Sequence, residues 1–222
     1  MTTLPFKGRF ITLEGGEGSG KTTLLHQLAL YLTDQGFDVL ITREPGGTIL
    51  GEMIRDLVLQ HNEAIAIHRQ AELLLFLAAR AQHIHEKILP ALEAGHVVLC
   101  DRFNDSTIAY QGGARGLGIE SVENLCHLIC GSVCPQLTLF LDVPPSIGLA
   151  RSRNLGKEHA ASGELDRIES EALAFHKKIQ ESFEALAKKD PLRIYTINAA
   201  QSQERVRKEA ISALERFFLL RN

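Results

Sequence analysis

The stretch EGGEGSGKTT (residues 14–23) decides how the rest of the chain is read. It follows RFITLEG, an apolar, β-rich run that ends in glycine. It opens KTTLLHQLALYLTDQG, which has helical spacing and a terminal glycine. Gly15-x-x-x-x-Gly20-Lys21-Thr22 is the phosphate-loop pattern, and it sits where that pattern works, between a strand and a helix. Gly15, Gly16, Gly18 and Gly20 allow the backbone to turn successive N–H groups inward, with Glu17 and Ser19 between them. The helix that follows adds its positive end. In such a loop the Lys21 ammonium reaches the β- and γ-phosphates and the Thr22 hydroxyl ligates Mg²⁺. Residues Gly15 to Thr23 are therefore the expected nucleoside triphosphate site. One feature resists this reading: Glu17 puts a carboxylate inside a cradle for polyanions.

Outward from the loop, strand-like and helix-like runs alternate. FDVLITREPGG is a second strand closed by a Pro-Gly-Gly turn, HVVLCDRF a third, LTLFLDV a fourth and LRIYTINA a fifth. GEMIRDLVLQ, HRQAELLLFLAARAQHIHEKILPALEAG, SVENLCHLICGSVCPQ, a long segment at roughly 168–189 and SQERVRKEAISALERFFLL read as helices. Repeated strand–helix units predict an α/β fold of the P-loop NTPase type. It has three layers (α/β/α), a five-stranded parallel sheet and a short lid, all in one domain spanning residues 1–222. Ligands of such sheets bind beyond the strand C-terminal ends. Two stretches break the alternation. QGGARGLG (111–118) reads as a mobile glycine-rich loop. RSRNLGKEHAASGELD (151–166) reads as the lid, interrupting a crossover helix.

Composition narrows the partners. Net charge is −3, from 24 Lys+Arg against 27 Asp+Glu, which excludes a broad electrostatic footprint on nucleic acid or membrane. The N-terminus carries no signal-peptide pattern, and no run is long enough to span a bilayer. The four cysteines form no C-x-x-C pair. Cys126, Cys130 and Cys134 recur every four residues, as on one helix face. They read as reduced thiols of a cytoplasmic protein rather than as metal ligands.

The acceptor side rests on weaker signals. Phe76 and Arg80, four residues apart, share a helix face; an aromatic plane beside a guanidinium suits a flat base. Asp101 directly follows an apolar strand, where a Mg²⁺-organising acid sits in phosphate-loop enzymes, and Arg102 follows it. Arg43 ends another strand. The motifs FITLEGGEGSGKTT, TREPGGT, LLFLAARAQH, DRFNDSTIAYQGG, LTLFLDV and GELDRIE, in that order, resemble those of the thymidylate kinases over nearly the whole chain. The guanine-reading N-K-x-D motif of GTPases is absent.

The resemblance implies phosphorylation of dTMP to dTDP by Mg-ATP, usually in a homodimer. It implies that Phe76 stacks on thymine and Arg80 hydrogen-bonds O4, and that Thr107 and Gln111 line the base pocket. Tyr110 would crowd the sugar 2′ position. Arg43 and Arg102 would hold the acceptor phosphate, Asp101 would organise Mg²⁺ through water, and Glu17 would contact the acceptor 3′-hydroxyl. Lys21 and Arg102 are the expected catalytic cations. Where some members carry an arginine within the phosphate loop, positions 16–19 here are Gly, Glu, Gly and Ser, so a lid arginine, Arg151 or Arg153, is expected instead, with Arg167 third. Phe103 stands where tyrosine is frequent, and the lid exceeds the short basic form of many relatives.

Overall fold

The computed structural model describes residues 6–60, 65–159 and 166–219; residues 1–5, 61–64, 160–165 and 220–222 lie outside the described residues. Five strands form one parallel sheet: β1 (Arg9–Glu14), β2 (Val39–Arg43), β3 (Val97–Asp101), β4 (Leu137–Asp142) and β5 (Ile194–Asn198). Their order is β2-β3-β1-β4-β5. Such strands are apolar along their length because helices cover both faces. On one face, α1 (Lys21–Asp34) and α9 (Gln203–Leu219) bury Leu25, Leu28, Leu32, Leu214 and Phe217 against Ile11, Leu13, Leu139 and Leu141. On the other lie α3 (Arg69–His83), α6 (Ile119–Cys130) and α8 (Leu173–Lys189), which pack Leu77, Val122, Ile179 and Phe183 around Phe140 and Ile194. Each such side chain taken fully from water contributes about 1.5–3 kcal/mol. The predicted three-layer α/β/α architecture is the one observed.

Register sets what meets at the sheet's C-terminal edge. Leu13 pairs with Asp101 across β1–β3, and Arg43 pairs with the same Asp101 across β2–β3. The phosphate loop, the acid and the strand-end arginine thus emerge in one row.

The sequence reading needs five corrections. The long helix predicted from His68 is α3, a π-helical turn over Ile84–Ile88, and then α4 (Leu89–Ala94). Pro90 offers no N–H to the Glu86 carbonyl and its ring crowds that oxygen, so the backbone widens ahead of it. Residues 111–118 are not a mobile loop. A short α5 (Asn104–Thr107) runs into a second π-helical turn, Ile108–Ala114, in which Gln111 and Gly112 are buried; Leu117 and Gly118 N–H groups close it onto their carbonyls. The crossover helix is not interrupted at residue 151: α7 runs Pro145–His159, and residues 160–165 of the expected lid lie outside the described residues. The following helix begins at Leu173 rather than 168, because Asp166 Oδ1 accepts from Ile168 N (2.8 Å) and Glu169 N (2.7 Å) and holds a turn there. Finally, α6 ends at Cys130, so Cys134 does not share its face with Cys126. All four thiols are free. Among the described residues no group of His, Cys, Asp or Glu is arranged to hold a metal ion by itself.

Candidate active site

The phosphate loop folds between β1 and α1 as its glycines require. Gly15, Gly18 and Gly20 all have positive φ. A Cβ at Gly18 would fall 1.9 Å from the Gly148 carbonyl, so the loop lies backbone-to-backbone against the start of α7. Lys21 is buried; its ammonium donates to Gly16 O (2.8 Å), Gly15 O (3.1 Å) and Ser19 Oγ (3.2 Å). Burial, joined by the charge of Arg102, pulls its pKa down to about 8 against the opposing carboxylates. Thr22 Oγ1 donates to Asp101 Oδ2 at 2.7 Å, which joins two hard oxygen donors at the lip of the loop. That donor chemistry fits Mg²⁺, which favours oxygen ligands and retains several waters.

Arg102 closes β3 with φ 68, a left-handed conformation rare outside glycine and tolerated where the surroundings over-determine it. The turn sends its side chain back over the loop. There Nη1 donates to Gly15 O (2.9 Å) and Ser106 Oγ (3.2 Å), and Nη2 to Glu17 Oε1 (2.8 Å). Tyr110 OH donates to the same Glu17 oxygen at 2.7 Å, and its ring lies 5.0 Å below the guanidinium. Burial would raise the Glu17 pKa, but Arg102, Lys21 and the Tyr110 hydroxyl outweigh it and hold the group at about 2. The acid in the cradle is thus a permanent carboxylate that faces away from the loop. Beneath it, buried Glu14 accepts from Phe103 N (2.8 Å) and Ser106 Oγ (2.5 Å). Burial and nearby Asp105 raise its pKa to about 7.

Glu17, Arg102 and Tyr110 also form one wall of a second cavity, lined further by Phe76, Arg80, Thr107 and Gln111. The structure therefore brings these predicted acceptor residues together. Thr107 accepts from Arg80 Nη2 (2.9 Å), and Gln111 Nε2 donates to buried Glu72 (2.9 Å). Phe103 is fully buried, edge-on to Phe10 and 4.8 Å below the Arg80 guanidinium, so the residue that departs from the family pattern acts as a floor. Arg43 is not on this wall. It pairs with Glu52 (2.8 Å) at the mouth, in the wider cleft shared with Lys21, Thr22 and Asp101. Arg55 of α2 (Ile49–Leu59) lines both spaces, close enough to Arg43 and Arg102 for both charges to oppose its own after the effect of burial. Sequence reading missed Arg55: an arginine on an amphipathic helix carries no local signal.

On the opposite side of the loop, a cleft is lined by Gly18, Ser19, Gly20, Thr23 and Gln27 with Arg151, Asn154 and Gln201 to Gln203. Arg151 Nη1 donates to Ala199 O at 2.8 Å, which places it beside this cleft. Arg153 is exposed. Arg167 is turned elsewhere: Nε donates to Val58 O (2.8 Å) and Nη2 to Glu72. The Gln201–Gln203 segment was also absent from the sequence reading, since it follows β5 far along the chain.

A phosphate loop flanked by two compartments, one of them lined by Phe76, Arg80, Thr107 and Gln111, defines a P-loop kinase of the nucleoside monophosphate class. Comparisons with known proteins narrow this. The family model for thymidylate kinase matches residues 13–210. The thymidylate kinase of Protochlamydia amoebophila is 58% identical over 215 residues, covering 97% of this chain and 96% of that one. That of Synechococcus sp. (strain JA-3-3Ab) is 50% identical over 193 residues, covering 87% and 88%. The crystal structure of the Ehrlichia chaffeensis thymidylate kinase superposes with a TM-score of 0.73 at 34% identity, covering 94% and 98%. The chain belongs to the thymidylate kinase family, which phosphorylates dTMP to dTDP with ATP.

Proposed function

We propose that phosphoryl transfer runs in line from ATP on the loop to dTMP in the Phe76–Arg80 cavity, with no side chain acting as general base. The observation that carries this is the shared wall: Arg102, Glu17 and Tyr110 border the acceptor cavity, and Arg102 and Glu17 also border the cleft over the loop. A phosphate monoester, with a second pKa of about 6, is already an ionised nucleophile at neutral pH. What opposes reaction is the meeting of two polyanions, so catalysis is positioning and charge neutralisation.

In this reading Gly15 to Thr23 bind the triphosphate, with Lys21 on the transferring end. ATP extends its nucleoside into the cleft lined by Thr23, Gln27, Arg151 and Gln201 to Gln203. Thr22 and Asp101 would hold Mg²⁺, which supplies charge neutralisation when bound with ATP. Arg43, Arg55 and Arg102 gather the acceptor phosphate; Phe76 and Arg80 read the base beside Thr107 and Gln111; Tyr110 screens the sugar and Glu17 accepts from its 3′-hydroxyl. The lid arginine is Arg153, since Arg151 is committed to the donor side by its bond to Ala199. The chain acts as one domain, residues 1–222, with 151–166 as its lid.

We also infer a cytoplasmic homodimer. Buried free thiols at Cys100, Cys126 and Cys130 suit a reducing compartment. Among the described residues no helix is long and apolar enough to cross a membrane. On α2 the exposed stripe of Leu50, Met53 and Leu57, beside Leu74 on α3, supplies an apolar face for a second copy.

The test is Mg-ATP with each nucleoside monophosphate, reading ADP release. dTMP should be preferred, dUMP intermediate and UMP poor. A missing methyl is worth only about 10- to 200-fold, so some dUMP activity is expected. No preference for dTMP would overturn the reading.

A further inference from the structure

From Arg80 and Glu44 on the wall of the acceptor cavity, a chain of buried polar groups runs back to His83 and Thr42, and the phosphate chemistry does not use it. Arg80 Nε donates 2.7 Å to Glu44 Oε2. The other Glu44 oxygen meets His83 Nδ1 at 2.9 Å, and His83 Nε2 meets Thr42 Oγ1 at 2.6 Å. Thr42, Glu44, Arg80 and His83 are all buried. A carboxylate can only accept, so His83 Nδ1–H is the donor to Glu44.

Three constraints fix the guanidinium. Glu44 holds its Nε edge, Thr107 takes one N–H of Nη2, and Phe103 lies beneath the plane. Nη1 faces Cys126 Sγ at 3.7 Å, a weak acceptor. One N–H on each terminal nitrogen remains. A buried ion pair adds little net stability compared with apolar packing of similar volume, so stability alone is a poor account of this arrangement. Orientation is a better one. His83 does not line the cavity, yet it holds the carboxylate that holds Arg80. Gly47 shows how closely the group is set: a Cβ there would fall 2.5 Å from His83 Nε2. One turn, residues 42–48, therefore aims Arg43 at the mouth of the cleft and Glu44 at the base reader.

We propose that Glu44 and His83 are positioning residues for pyrimidine recognition: they set Arg80 so that its remaining donors meet a 4-carbonyl edge and reject a 4-amino one. This rests on the assignment of Arg80 as the base reader.

The test compares the KM for dTMP with the Ki of dCMP as a competitor, using ATP KM and far-UV dichroism as fold controls. Glu44→Gln and His83→Leu should raise the dTMP KM by about 10- to 100-fold, narrow the gap to dCMP and leave ATP KM unchanged. His83→Asn, whose amide can stand in for Nδ1–H, should keep most of the discrimination, which a merely space-filling role would not require. If Glu44→Gln fails to fold, Thr42→Val removes only the outermost bond and should narrow the gap by about 2- to 10-fold. Folded Glu44 and His83 variants with the wild-type gap, alongside an Arg80→Met variant that loses it, would overturn the positioning role. An Arg80→Met variant with an unchanged dTMP KM would instead remove the assignment on which it rests.

Discussion

Arg102 and Glu17 join the end of β3 to the middle of the phosphate loop through a 2.8 Å ion pair, and together they border both the triphosphate cleft and the acceptor cavity. The carboxylate that looks misplaced in EGGEGSGKTT is the group that holds the Arg102 guanidinium over the phosphate loop. It shares its oxygen with Tyr110, so loop, strand end and π-helical turn are tied at one atom.

The first prediction concerns that atom. Glu17→Gln should lower kcat/KM for dTMP by roughly 10- to 100-fold and lower it much less for 3′-deoxy-dTMP. Equal losses would show that the carboxylate serves Arg102 alone. Because Glu17 is held at about 2, its ionisation should contribute no acid limb to the pH profile above pH 4.

Lys21 should contribute an alkaline limb. Burial and then Arg102 lower its pKa to about 8, so the ammonium is lost as pH rises through that value. kcat/KM for ATP, which reports the free enzyme, should fall above about pH 8. A profile flat to pH 10 would contradict this. Lys21→Ala should cost on the order of 10²- to 10³-fold in kcat.

Glu14 should make stability depend on pH. Its folded pKa, raised from 4.5 to about 7, means that the fold favours the protonated acid. That contribution is fully present below pH 4.5 and is lost as pH rises through 7. At most it amounts to about 3 kcal/mol. Glu14→Gln should flatten the Tm profile between pH 5 and 7.5; an unchanged slope would place the titration elsewhere.

The lid arginines should separate by kinetic parameter. Arg153→Ala should reduce kcat by about 10³-fold with little change in ATP KM. Arg151→Ala should raise ATP KM while sparing kcat, since its side chain lies along the donor cleft. If both variants keep wild-type turnover, the transition-state cation is not on α7.

Met53 tests the proposed dimer. Met53→Asp puts a charge in the exposed stripe of α2, where the side chain is 66% exposed in the single chain. Sedimentation velocity should show a monomer at concentrations where the wild type is a dimer. A variant that remains dimeric would move the interface off this face.

The sequence by itself determined the class of the fold and one half of the site. The phosphate loop is contiguous, so its glycines, Lys21 and Thr22 are legible from spacing alone. The strands announce themselves as apolar runs because both of their faces are covered. Phe76 and Arg80 share a helix face by local geometry, and the ordered motifs tie the chain to its family. Only the tertiary structure decided the rest. The strand end before Asp101 marks it as a candidate acid, but only the β1–β3 register brings it within a hydrogen bond of Thr22. Arg55 comes to line both spaces because α2 folds over the cleft, and Glu17 becomes a partner of Arg102 because β3 lies beside β1 in the strand order. Pro90 widened a helix, and Asp166 delayed another, through backbone hydrogen bonds that periodicity does not encode. His83 and Glu44 read as ordinary polar residues until burial removes water as their partner. Then each must find a donor or acceptor in the chain, and the ones they find fix Arg80.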